Sequence, residues 1–272
     1  MRPRAVAAAL VAALVAAPAR AAAPAGAPAA PPRAEDSIAV LLALLPVEAP
    51  AQLAADGPLR VRLELTGPGA AKAGTLRGWF PAAALDAGAA TVDLAGRAPA
   101  AAAEPPSAAE RGPSFFVDYD QPAAAPFRAA VAGLGAAPSD DDLRRLVDGW
   151  IVKKNMTRGL DPASRVARRR EGDCSEHAVL LGAAARLAGR PSRIVLGVAL
   201  VPVEGRLLAF GHAWAELHDG TAWRLADATP LPAGVRYVPL SVLADEGPGY
   251  TAAAWAGLSP LDVRRIVLAP AP

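Results

Sequence analysis

Hydrophobic and polar positions alternate most clearly at residues 59–65. Leu59, Val61, Leu63 and Leu65 interleave with Arg60, Arg62 and Glu64, the period-2 pattern of a strand with one face buried. The surrounding stretch, residues 36–95, carries weaker strand signals broken often by Gly and Pro. The period changes at Ser139, which precedes Asp140, Asp141 and Asp142. A capping hydroxyl followed by acids in the first turn starts a helix. Leu143, Leu146, Val147, Trp150 and Ile151 then share one face, which predicts a helix over 140–154. A second helix is predicted from Cys174, with Asp173 as cap and Glu176 three residues on. Its run Ala178–Ala185 is apolar all round, as a central buried helix requires, and Gly189 with Pro191 ends it.

Strands dominate the chain beyond Pro191. Arg193–Val203 reads as a buried strand, and Phe210–Leu217 and Thr221–Asp227 as two more around Asp219-Gly220, a two-residue hairpin signal. Pairing His218 with Thr221 across that turn sets Asp227 opposite His212 on one face, where an imidazole and a carboxylate can meet. Phe115–Tyr119 reads as a further short strand. Helix followed by several strands predicts an α+β fold rather than alternating βαβ units.

The N-terminus carries an export pattern: Arg2 and Arg4, an apolar run Ala5–Ala17, then Pro18 and the small-x-small site Ala19-Arg20-Ala21. The run is too short for a permanent span. The expected organisation is a signal peptide at 1–21, an Ala/Pro leader at 22–36, a β-rich region at 37–96, a linker at 97–110 and a main domain at 111–272. The mature protein is thus expected to be periplasmic or secreted, without a membrane span. The hydrophobic fraction of 53% owes much to alanine and overstates the core, because alanine buries little area. Charge excludes a general nucleic-acid footprint. The full chain is +2, and removing residues 1–21 takes away three arginines and no acid, leaving 25 basic against 26 acidic residues.

One cysteine in an exported chain cannot form an internal disulfide; it is a free thiol, an intermolecular partner or a nucleophile. Cys174 opens a helix, where unpaired N–H groups favour a thiolate. An aspartate opposite His212 would fix the imidazole tautomer and leave the other nitrogen for the thiol. The residues therefore point to a Cys174–His212–Asp227 triad. Cys174, His177, His212 and Asp227 lack a compact zinc spacing, and no cofactor is expected. His177, one turn after the cysteine, reads as a structural or rim residue rather than a second base. Trp214 reads as a cleft wall or as core. Arg165, Arg168, Arg169 and Arg170 read as a solvated face or as a docking patch for acidic substrate. Oxyanion donors would be the Cys174 N–H and an upstream side chain, Asn155 or Gln121.

Gly172-Asp173-Cys174-Ser175-Glu176-His177-Ala178 resembles the cysteine motif of the transglutaminase-like superfamily. Gly189-Arg190-Pro191-Ser192-Arg193 is similar to its helix-to-strand connection, Gly211–Glu216 to its histidine motif and Asp227-Ala228-Thr229-Pro230 to its aspartate motif. The resemblance covers about residues 139–230. It implies a papain-like core, a nucleophile-bearing helix packed on an antiparallel sheet that carries His and Asp. It also implies thioester chemistry on the amide bonds of a protein or peptide substrate, resolved by water or an amine. The competing expectation is a binding module of the cell envelope that keeps the fold without turnover.

Overall fold

The computed structural model describes residues 44–50, 57–96, 106–154, 160–243 and 258–271. The expected signal peptide, the leader and most of the linker lie outside these residues, as does Asn155.

The strands, in chain order, are β1 (Leu44–Leu45), β2 (Val47–Glu48), β3 (Leu59–Leu65), β4 (Ala84–Asp86), β5 (Ala89–Asp93), β6 (Lys153–Lys154), β7 (Glu171–Gly172), β8 (Ser192–Val203), β9 (Arg206–His218), β10 (Trp223–Ala226), β11 (Arg236–Val242) and β12 (Val263–Pro270). The helices are α1 (Gly67–Lys72), α2 (Ala108–Arg111), α3 (Ala125–Ala132), α4 (Asp140–Trp150), α5 (Ala163–Arg169) and α6 (Cys174–Leu187). The fold is α+β. One antiparallel sheet runs β1-β9-β8-β11, with β10 also on β9; a second runs β2-β12-β3-β5-β4.

The first sheet has a core on each side. α6 packs on β8 and β9, and its apolar residues join those of α3, α4 and α5 with Ala213, Ala215 and Leu217. In the other core, Val195, Val198, Leu200 and Trp214 of the first sheet meet Leu59, Val61, Leu63, Ile266 and Leu268 of the second. α6 is thus a buried central helix, as its sequence predicts: Val179 to Leu181 and Ala183 to Ala185 are each 0% exposed.

Several expectations change in detail. α4 stops at Trp150 because the chain turns off into β6, where the N–H groups of Val152 and Lys153 both donate to Arg170 O. Phe115–Tyr119 forms no strand; Phe116 and Val117 are simply buried against the helices. The tail of the expected linker folds as α2, closed by a capping box between Ser107 and Glu110. The second sheet also draws on both ends of the chain. β12 lies between β2 and β3, so β2, β3, β4 and β5 complete their sheet with the strand at 263–270.

Candidate active site

The start of α6 is built by short-range hydrogen bonds. Asp173 Oδ1 accepts from the Ser175 N–H at 2.9 Å, and Glu176 Oε2 accepts from the Asp173 N–H at 2.9 Å, the capping box read from the sequence. Gly172 is required beside it, since a Cβ there would lie 2.3 Å from Glu176 Cβ. The box also anchors the incoming chain: Ser175 Oγ accepts from Leu160 N–H and Glu176 Oε1 from Asp161 N–H. Cys174 is therefore fixed at the first helical position, 7% exposed.

β9 supplies the partner. One edge pairs with β8 along its length, with His212 opposite Gly197. The other edge pairs with β1 at Ala209 and Phe210 and with β10 from Ala215 to His218. Among the described residues, 211–214 have no strand on that edge. The Cys174 thiol comes to this gap, where the backbone N–H of Ala213 reaches it, and β10 ends just where Asp227 can reach His212. His212 Nε2 and Asp227 Oδ2 lie 2.7 Å apart, both residues buried.

The register is not the predicted one. His218 pairs with Trp223 and Ala215 with Ala226, two residues away from the expected pairing. The turn holds four residues: Asp219 N–H donates to Ala222 O, and Asp219 Oδ1 accepts from the N–H groups of Thr221 and Ala222. Asp227 is therefore not opposite His212 but just past the ladder. A slip of one residue would have separated the groups; a slip of two keeps their face.

Asp227 is held from several directions. Its Oδ1 accepts from Thr229 N–H at 2.8 Å, its Oδ2 accepts from Tyr237 Oη at 2.9 Å, and its carbonyl accepts from Arg144 Nε at 2.6 Å. Burial pushes its carboxyl up, but the His212 imidazole and the hydrogen bonds outweigh it and hold the carboxyl below its ordinary range. An ionised Asp227 accepts a proton donor, so Nε2 of His212 carries the hydrogen and Nδ1 is left as acceptor.

The thiol departs from expectation. Burial pushes Cys174 well up; Asp173, Glu176 and Asp227 add to this, and only the Ala213 N–H opposes it. The helix terminus does not dominate, because a buried anion loses its water. Burial and the adjacent Glu176 likewise hold Asp173 well above the ordinary carboxylate range. Cys174 is thus held as a neutral thiol.

The other candidates fall apart from this cluster. His177 is 1% exposed; its Nδ1 donates to Asp173 O at 2.5 Å and its Nε2 faces Lys154 Nζ at 2.8 Å. Burial, then Lys154, lowers it to about 4, so it is a neutral brace of the helix start. Trp214, 0% exposed, stacks on His212 with centroids 6.0 Å apart. Gln121 is exposed and its amide donates to Asp120. Of the arginine cluster, Arg165 and Arg169 pair with Asp161, and Arg170 lies over the Trp150 ring. Tyr237 escaped the sequence reading; it lies on β11, ten residues beyond Asp227 and outside any motif. Among the described residues, no group of three or more His, Cys, Asp or Glu side chains is arranged to hold a metal ion, and no helix is long and apolar enough to cross a membrane.

The profile of the transglutaminase-like superfamily matches residues 143–228, a span that contains Cys174, His212 and Asp227. A comparison with curated proteins gives no match. Among solved structures, a candidate cysteine protease from Cytophaga hutchinsonii is 20% identical with a TM-score of 0.37, aligning over 47% of this chain and 44% of its own. The periplasmic domain of TgpA from Pseudomonas aeruginosa bound to ethylmercury is 22% identical with a TM-score of 0.25, over 38% and 45%. The chain thus spans less than half of either structure.

Proposed function

Since residues 143–228 match the profile of the transglutaminase-like superfamily, we propose that the protein is a thiol-dependent acyl-transfer enzyme with Cys174 as nucleophile, His212 as base and acid, and Asp227 as orienting group. The observation that carries this reading is the buried 2.7 Å bond from His212 Nε2 to Asp227 Oδ2 on the strand whose Ala213 N–H meets the thiol. As the sulfur attacks an amide carbonyl carbon, its proton passes to His212 Nδ1 and the carbonyl oxygen becomes an oxyanion. Collapse breaks the C–N bond, the imidazolium proton goes to the leaving amine, and a thioester remains. Water then gives a proton to His212 and adds to the thioester; the carboxylate leaves and the thiol is restored. Hydrolysis is favoured over transfer to an amine, because water is always present and no dedicated amine site is marked. The substrate class is an extracytoplasmic protein or peptide, reached after cleavage near Ala22; N-terminal sequencing of an exported form that still began at Met1 would refute that location.

A second reading is favoured by one observation, the burial that holds the Cys174 thiol protonated: a binding module that keeps the fold without turnover. Alkylation separates the two, and iodoacetamide reports on one position because Cys174 is the lone cysteine. In an enzyme, His212→Ala slows alkylation near neutral pH and abolishes acyl-enzyme capture, while Asp227→Asn folds but loses most of its rate, by about 10⁴-fold where the tautomer is critical. Identical alkylation profiles for wild type and His212→Ala, with no acyl adduct by mass spectrometry, would leave the binding module.

A further inference from the structure

We propose that Tyr237 is a positioning residue of this site: its hydroxyl shares Asp227 Oδ2 with the imidazole and sets how much of the carboxylate's charge His212 receives. The proposal rests on the triad reading. Tyr237 stands on β11, separated from β9 by β8, yet its Oη donates to Oδ2 at 2.9 Å, the same oxygen that receives His212 Nε2–H at 2.7 Å. The other carboxylate oxygen is taken by the Thr229 N–H.

The ring is also part of the packing. Tyr237 lies 5.9 Å from the His212 ring and 5.2 Å from the Trp214 ring, and Trp214 stacks on His212. The imidazole is therefore confined by two aromatic neighbours, one of which also holds its carboxylate. A hydroxyl that contributed only to packing would not need to end on Oδ2.

Two donors on one oxygen divide its charge. When His212 takes the thiol proton, the imidazolium is stabilised by Asp227 less than it would be by a carboxylate with one donor. That keeps the imidazolium acidic enough to return its proton to the leaving group. The charged and titratable groups around the pair are Arg144 at the Asp227 carbonyl, Cys174 with Asp173 and Glu176 beyond it, and His177 with Lys154 beside it. None of them replaces the Tyr237 donor at Oδ2.

The test needs no substrate: it is the rate of Cys174 alkylation by iodoacetamide against pH, for wild type, Tyr237→Phe and His212→Ala. Tyr237→Phe keeps the ring and removes the donor. Its alkylation midpoint moves down by about 0.5–1 pH unit, because an imidazolium better stabilised by Asp227 lets the thiol give up its proton more easily, and the His212 Nε2–H proton resonance shifts. Incorporation of 3-fluorotyrosine at 237, a stronger donor of nearly the same shape, moves the midpoint the other way and serves if Tyr237→Phe folds poorly. A change in stability alone would not move a midpoint in opposite directions. If His212→Ala alters the profile while both Tyr237 replacements leave it unmoved, Tyr237 has no positioning role and the triad stands. If His212→Ala also leaves the profile unmoved, the triad falls and this proposal with it.

Discussion

Gly197 shows how tightly the residues around His212 are set. It pairs with His212 across β8 and β9, and a Cβ there would lie 2.3 Å from Val238 O and 2.4 Å from the Trp214 ring. The ring occupies the space a side chain would need, and in that place it stacks on His212. Gly197→Ala should therefore push Trp214 off the imidazole and cost about 1–3 kcal/mol, as overpacking does. The check is thermal unfolding together with Cys174 alkylation; an unchanged Tm and rate would show that Trp214 has another place to go. The three candidate catalytic residues could be picked from the sequence because each sits in a local pattern: a capping box, a strand motif and the end of a hairpin. Tyr237 could not, because its role comes from a neighbouring strand that no local pattern links to Asp227.

At the scale of elements, α6 was legible because its signals are short-range. The cap, the acid three residues later and the apolar run all act within a turn or two. The hairpin was legible in kind but not in register, since the Asp219 side chain accepts from two turn N–H groups and widens the turn to four residues. The start of α6 also carries a pH-sensitive brace. His177 is fully desolvated and faces Lys154, with Asp148 and Asp227 more distant. Its folded-state value, about 4, lies below the ordinary ~6.5 of an unfolded histidine. In that window the unfolded chain binds a proton that the folded chain does not, so stability falls as the pH drops from ~6.5 towards 4. The loss levels off below the folded value, at about 3 kcal/mol in all. His177→Asn, which can keep a donor for Asp173 O without titrating, should flatten this slope in denaturant unfolding at successive pH values. A slope as steep in the variant as in wild type would assign it to other groups.

The whole molecule is layered as helices, first sheet and second sheet, and its assembly is the least local feature. Nothing in the periodicity of residues 37–96 announces that their sheet is completed by β12, since strand pairing between chain ends leaves no local trace. One buried polar cluster fastens this N-terminal region to the first sheet. Glu216 of β9, 1% exposed, accepts from Arg193 Nη2 at 2.6 Å and from Trp79 Nε1 at 3.0 Å. The Arg193 guanidinium lies between the rings of Trp79, 5.7 Å away, and Trp223, 4.4 Å away. Trp79 belongs to the N-terminal region and the other three to the first sheet. Removing the carboxylate leaves a largely buried guanidinium and an indole N–H without that acceptor, so Glu216→Ala should cost about 3–5 kcal/mol, the usual penalty for breaking a buried ion pair from one side. A double replacement of Glu216 and Arg193 by leucine should recover much of that loss, because it leaves no charge stranded. Since the two sheets share one core, unfolding of Glu216→Ala should remain a single transition, seen alike by tryptophan fluorescence and by Cys174 alkylation. Should fluorescence report loss of the Trp79 environment while Cys174 keeps its wild-type protection, the N-terminal region would be a separately unfolding layer and the shared core would not couple it to the site.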